Sequence, residues 1–163
     1  MKTVLAIAVL FLALPVCAQH VHGEGRLDVV IDRDQLTLSL ELPLDAAVGF
    51  ERAPRNEAER AALASAGRAL HALPCAPNAA ARCALQAKDI SLPYLDGKAP
   101  AAGEHVDIVA SYVFRCADPA ALKSVETTLF KDFKRLYRLA SRRVGPSGQG
   151  AMRLTPNRPS LTW

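Results

Sequence analysis

The chain has 163 residues, 20 Lys and Arg against 16 Asp and Glu, four His and four Cys, for a formal net charge of +4. This length suits one domain with a real core. The mild charge excess excludes a dedicated nucleic-acid binder once the chain is read as exported, and no apolar run after the leader is long enough for a membrane helix, so no stable membrane insertion is expected.

The leader comes first. Lys2 is followed by an apolar run from Thr3 to Val16, the length of a secretory signal core and too short to span a bilayer. Cleavage is expected after Ala18, which gives a signal peptide over 1–18 and a single exported domain over 19–163. Cys17 raises a rival reading, a lipid-anchored cysteine, but Val16 before it is bulkier than such sites prefer.

The strand Leu27 to Ile31 and the alternating run Gln35 to Leu42 predict a hairpin across Asp32-Arg33-Asp34, with Leu36, Leu38, Leu40 and Leu42 on the buried face and Pro43 as its end. An apolar corner over Val48 to Pro54 precedes a helix. Asn56 and Glu59 have the spacing of a capping box, Leu63, Ala66, Leu70 and Leu73 give the apolar stripe, and Pro74 stops it. His71, beside Leu70, reads as a half-buried or surface histidine. Cys75 to Cys83 reads as a loop, Ala84 to Leu92 as a strand and Pro93 to Gly103 as an exposed loop.

Val106 to Cys116 is a strand with Ile108, Ala110, Tyr112 and Phe114 on one face. Asp118-Pro119 opens a helical turn, Val125 to Leu129 reads as a short strand, and Phe130, Phe133 and Leu136 as a packed helical turn or irregular segment. Leu136 to Val144 and Ala151 to Thr155 form a last hairpin across Gly145-Pro146-Ser147-Gly148, and Pro156 to Trp163 is extended. The fold class is α+β: mostly antiparallel β-sheet with one main helix and short helical insertions. The basic stretch Lys131 to Arg143 reads as a solvated face.

Export permits disulfides among Cys75, Cys83 and Cys116, and the odd count leaves one thiol over. Of the three pairings, Cys83–Cys116 is preferred, because it closes a long segment and restrains the unfolded chain by about 3–4 kcal/mol, whereas Cys75–Cys83 closes only a small Ala-rich loop. The three lack the short C-x-x-C spacing of zinc sites.

No nucleophile elbow, phosphate loop or H-E-x-x-H motif is present, and the chain is read as a binder, not an enzyme. Its unusual feature is the grouping of the histidines. In an extended chain His20, His22 and Glu24 share one face, and in Glu104-His105-Val106-Asp107 so do His105 and Asp107. Imidazole nitrogen and carboxylate oxygen are the ligands zinc accepts, usually four in tetrahedral array. If the strands entered here start at one edge of a sheet, His20, His22, His105 and Asp107 could meet around one ion, with Glu24 and Glu104 as neighbours. The competing reading is that these are ordinary residues of exposed strand ends. An amino terminus followed closely by His also chelates Cu²⁺, so copper is the alternative metal.

The ordered set His20-Val-His-Gly23, Leu42-Pro43, Val48-Gly49-Phe50-Glu51, Ala53-Pro54 before the helix, Glu104-His105-Val-Asp107, Tyr112, Phe114, Cys116-Ala117, Leu129-Phe130 with Phe133, Gly148-Gln149 and Leu154-Thr155-Pro156 resembles the ZrgA-like proteins. These are periplasmic, zinc-regulated, zinc-binding proteins of Gram-negative bacteria. The resemblance implies zinc as cargo, an accessory role in zinc acquisition and a zinc-uptake transporter component as a partner. It also supports the Cys83–Cys116 pairing. The chain departs from the family where members often carry a His/Asp/Glu-rich stretch: Leu92 to Gly103 has one Asp and no His. That departure is the basis of the alternative reading, an envelope interaction module that keeps the fold without the metal.

Overall fold

The computed structural model describes residues 23–95 and 106–163. Two strands, β1 (Glu24–Asp32) and β2 (Gln35–Pro43), form the expected antiparallel hairpin, with Leu27 opposite Leu40 and Val29 opposite Leu38. The turn places Arg33 at positive φ. Pro43 ends β2 as expected, and the chain then enters a short helix, α1 (Leu44–Val48), that the apolar pattern did not reveal. Gly49 closes it in the left-handed conformation.

The main helix, α2 (Glu57–His71), is capped as expected at its start: the Asn56 side chain accepts from the Glu59 amide at 2.9 Å. The other half of the box is different. The Glu59 carboxylate accepts from the Arg55 amide and takes two 2.7 Å bonds from the Arg52 guanidinium. That fork holds Glu59 well below the usual carboxylate range, at about 2, the Arg52 bonds being the larger cause and the Arg55 amide the next. Leu63, Ala66 and Leu70 are buried, but the helix ends before Leu73, which turns away at positive φ.

Cys75 to Cys83 was expected to be a loop, yet Cys75–Pro77 is a strand, β3, paired with β6 (Ser124–Thr127). Its three residues carry no periodicity, and only the pairing across more than forty residues of chain makes them a strand. Next come β4 (Cys83–Ser91) and β5 (Asp107–Cys116), antiparallel, with a bulge between Leu85 and Ala87. Cys83 lies opposite Cys116, and the two form the preferred disulfide. Asp118 caps a turn at Pro119–Ala121 as its sequence suggests.

Leu129, expected to end a strand, instead starts the single-turn helix α3 (Leu129–Asp132) after β6. The final hairpin is β7 (Arg138–Gly145) with β8 (Gly148–Leu154), and β9 (Ser160–Thr162) within the extended tail pairs with β6. The strands form a six-stranded sheet, β4-β5-β2-β1-β7-β8, and a three-stranded sheet, β3-β6-β9. All described pairings are antiparallel except β1 with β7.

Period 2 decides the layering. Leu27, Val29, Leu36, Leu38, Leu40, Leu42, Ile108 and Tyr112 all lie on one face of the large sheet and are buried. That face joins α2 and the small sheet in one hydrophobic cluster. Each fully buried leucine contributes roughly 1.5–3 kcal/mol. Tyr112 is anchored within it, its hydroxyl donating to the Leu70 carbonyl in the last turn of α2 at 2.8 Å. The opposite face carries Arg26, Glu41, Ser39, Ser111 and half-exposed Val30, Val109 and Val144.

Candidate metal edge

The register of the large sheet fixes where the two histidine-bearing segments enter. β1 and β5 are both antiparallel to β2, which lies between them. They therefore run in the same direction and start at the same edge. Asp107 pairs with Pro43, and continuing the β1–β2 register two residues beyond Arg26–Glu41 brings Glu24 level with Pro43 as well. Glu24 and Asp107 thus occupy one row, two strands apart, a backbone separation of about 10 Å. Both lie on the face away from the core, because each alternates with buried neighbours, Gly25 and Ile108.

His20, His22, Glu104 and His105 lie outside the described residues. Among those described, no group of three or more His, Cys, Asp or Glu stands together as a metal site. The structure brings two of the six expected ligands, Glu24 and Asp107, to a common edge and face. It does not bring their carboxylates onto one point.

Glu24 has a partner already. Its Oε2 lies 2.9 Å from Arg138 Nη2, and its side chain is largely covered. The pair follows from the parallel register of β1 on β7, which sets Glu24 beside Arg138. A metal drawing on Glu24 would compete with that guanidinium. Asp107, half-exposed at the start of β5, has no such ion pair among the described residues.

The entry to β1 is held by backbone. The Gly23 carbonyl accepts from the Tyr137 amide at 3.0 Å and from the Arg138 amide at 3.3 Å. Gly23 has φ +72, and a Cβ there would collide with the Tyr137 ring and the Arg135 carbonyl, so glycine is required on both counts. Next to it is a cavity of about 290 Å³ lined by Gly23, Asp45, Ala46, Lys134, Arg135 and Tyr137. Asp45 is a carboxylate at this edge that sequence reasoning missed. It stands outside both histidine groups and arrives only because α1 follows β2 directly.

The remaining thiol and histidine are placed elsewhere. Cys75 is free and fully buried, and its Sγ lies 3.5 Å from Thr127 Oγ1. Burial pushes its thiol up to about 11. The thiolate that a metal needs is therefore suppressed. His71 is exposed at the end of α2, where its carbonyl takes a bond from Lys88. In the basic stretch, Lys131, Lys134, Arg135 and Arg142 are solvated as expected, but Arg143 is buried at 6% exposure. It lies over the Trp163 ring and donates to Ser147 Oγ and the Gly148 carbonyl.

No described helix is long and apolar enough to cross a membrane. A model of the family described as ZrgA family zinc uptake protein matches residues 19–163. Comparison with curated proteins finds no match.

Proposed function

The chain belongs to the ZrgA family of zinc uptake proteins, and from that membership we propose that it is a periplasmic accessory protein that binds zinc as cargo for a zinc-uptake system. It acts by binding and release, not by catalysis. The observation that carries the proposal is the common edge: β1 and β5 start side by side across the end of β2, with Glu24 and Asp107 on the same face. His20 and His22 directly precede one of these strands and His105 the other. Imidazoles delivered from both, with Asp107 and water completing the shell, make a site of the few-ligand kind from which zinc can be handed on. Glu24 belongs to the outer part of such a site, since Arg138 holds its carboxylate.

Because the imidazoles must be neutral to ligate, affinity falls as the pH drops below about 6.5. The same donor set accepts Cu²⁺, and copper competes with zinc at equal exposure.

The test is a deletion strain in zinc-depleted medium. Impaired growth, restored by zinc or by the intact gene and not by a gene with His20, His22 and His105 changed to Ala, is the expected outcome. Normal growth together with transcription indifferent to zinc contradicts the proposal and favours an envelope module without metal.

A further inference from the structure

The acidic and basic residues are not evenly spread along the chain. Residues 133–163 contain seven Lys and Arg and no Asp or Glu. This segment supplies β7 and β8, so one edge of the large sheet is built from basic chain alone. Two of the arginines are occupied: Arg138 pairs with Glu24, and Arg143 is buried against Trp163. Arg142 and Arg153 are exposed and have no acidic partner among the described residues. The register puts Arg142 opposite Ala151, so Arg142 and Arg153 share the outer face, and the alanine methyl leaves Arg142 uncovered.

The two edges of this sheet differ in how they are guarded. At β4 the backbone is interrupted by a bulge, Lys88 is present and reaches the His71 carbonyl, and the strand's start is bonded to β5 by the disulfide. The bulge and the lysine are devices by which an edge strand avoids pairing with other chains, and the disulfide fixes the strand to its neighbour. β8 has no bulge and no disulfide, and its one charged residue is Arg153. Its register with β7 is unbroken over seven pairs, it contains neither Pro nor Lys, and five of its seven residues, Gly148 to Ala151 and Arg153, are exposed. Gly150 has no positive φ, and a Cβ there would meet only Arg143 Nη2 at 3.8 Å. Neither packing nor conformation requires glycine at this position, and its effect is to leave the strand backbone bare.

We propose that the β8 edge is a docking surface that takes an extended acidic segment of a partner protein as a seventh strand. Main-chain bonds to β8 supply the pairing. Acidic side chains on the outer face meet Arg142 and Arg153, and the alternate side chains lie on the core side, against half-buried Met152. The arginines also steer an anionic partner to the edge and repel a second copy of the same basic edge. The inference concerns partner recognition, and it stands whether or not the metal edge holds zinc.

The probe is a fluorescein-labelled ten-residue peptide alternating Glu and Val, titrated into the processed protein at low salt and followed by anisotropy. The expected result is saturable binding, lost for the same peptide with two central prolines and weakened at least tenfold by Arg142→Glu with Arg153→Glu. The control pair Arg33→Glu and Lys123→Glu, at other exposed sites, leaves binding unchanged. Hydrogen exchange then shows alternate β8 amides gaining protection on peptide addition. Equal affinity for the proline peptide, or for the double Arg variant with unchanged circular dichroism, overturns the proposal. So does adsorption to phosphatidylglycerol vesicles with no peptide binding, which would make this a membrane-facing surface.

Discussion

Replacing Cys83 and Cys116 together by Ala should destabilise the protein by about 4 kcal/mol. The bond links residues 33 apart. In the chain-entropy treatment, closing a loop of that size removes roughly 12 cal/mol/K from the unfolded state, close to 4 kcal/mol at 25 °C. The native state has little to lose by the change, because Cys83 and Cys116 already face each other in the β4–β5 register. The effect should therefore appear as a lower urea midpoint with β5 intact. β4 is an edge strand with mostly exposed side chains, so its amides near Ala84 should exchange faster than those of β5. Urea unfolding followed by circular dichroism measures the difference, with and without dithiothreitol. Reduction should lower the wild-type midpoint by the same amount and leave the double variant unmoved. A loss below about 1 kcal/mol would refute the reasoning and mean that the unfolded chain is already restrained in this region.

Three further outcomes follow from the packing. Gly23→Ala should cost about 1–3 kcal/mol and loosen the start of β1, read as a lower melting temperature and faster exchange at the Tyr137 and Arg138 amides. Tyr112→Phe removes the bond to the Leu70 carbonyl and should cost about 1–2 kcal/mol in urea unfolding, with the core otherwise unchanged. Glu59 has its carboxyl depressed to about 2 in the fold, so its stabilising effect is full above about pH 4.5 and is lost as the pH falls through about 2. Arg52→Ala should flatten that acid limb in a stability-against-pH series, and an unchanged limb would show that the Arg52 fork does not set it.

Much of this fold is legible in local pattern. The alternation of Leu36 to Leu42 and of Ile108 to Phe114 gave both the strands and their buried faces, since a strand's sides repeat every two residues. Asn56 marked the start of α2 because an amide acceptor three residues ahead of a free backbone N–H has one obvious use. The misses are nonlocal. Cys75–Pro77 is a strand only by virtue of β6, and the parallel contact of β1 with β7 joins segments more than a hundred residues apart. α1 is too short to show a helical period. Arg143 looked like part of a solvated basic face, but it alternates with Leu139 and Ser141 on the buried side of β7, where Trp163 lies over its guanidinium.

The candidate site divides in the same way. The grouping of His20, His22 and Glu24, and of His105 and Asp107, is a sequence observation, and the shared face of Glu24 and Asp107 follows from alternation once β2 stands between the two strands. The Arg138 partner of Glu24 and the nearness of Asp45 to Gly23 depend on tertiary contacts that no spacing announces. Those two contacts matter for metal chemistry. A guanidinium on one expected ligand lowers its availability, and a carboxylate beside the same entry adds negative charge where Lys134 and Arg135 would otherwise leave the cavity positive.

The central claim is that zinc binds where β1 and β5 begin. Calorimetric titration of the metal-stripped, processed protein with Zn²⁺ at pH 7.5 tests it most directly, with the His20→Ala, His22→Ala, His105→Ala triple variant alongside. One site near a 1:1 ratio is expected, at least tenfold weaker for His105→Ala alone and abolished in the triple variant. No heat above background, or the same isotherm for the triple variant and the wild type, would contradict it.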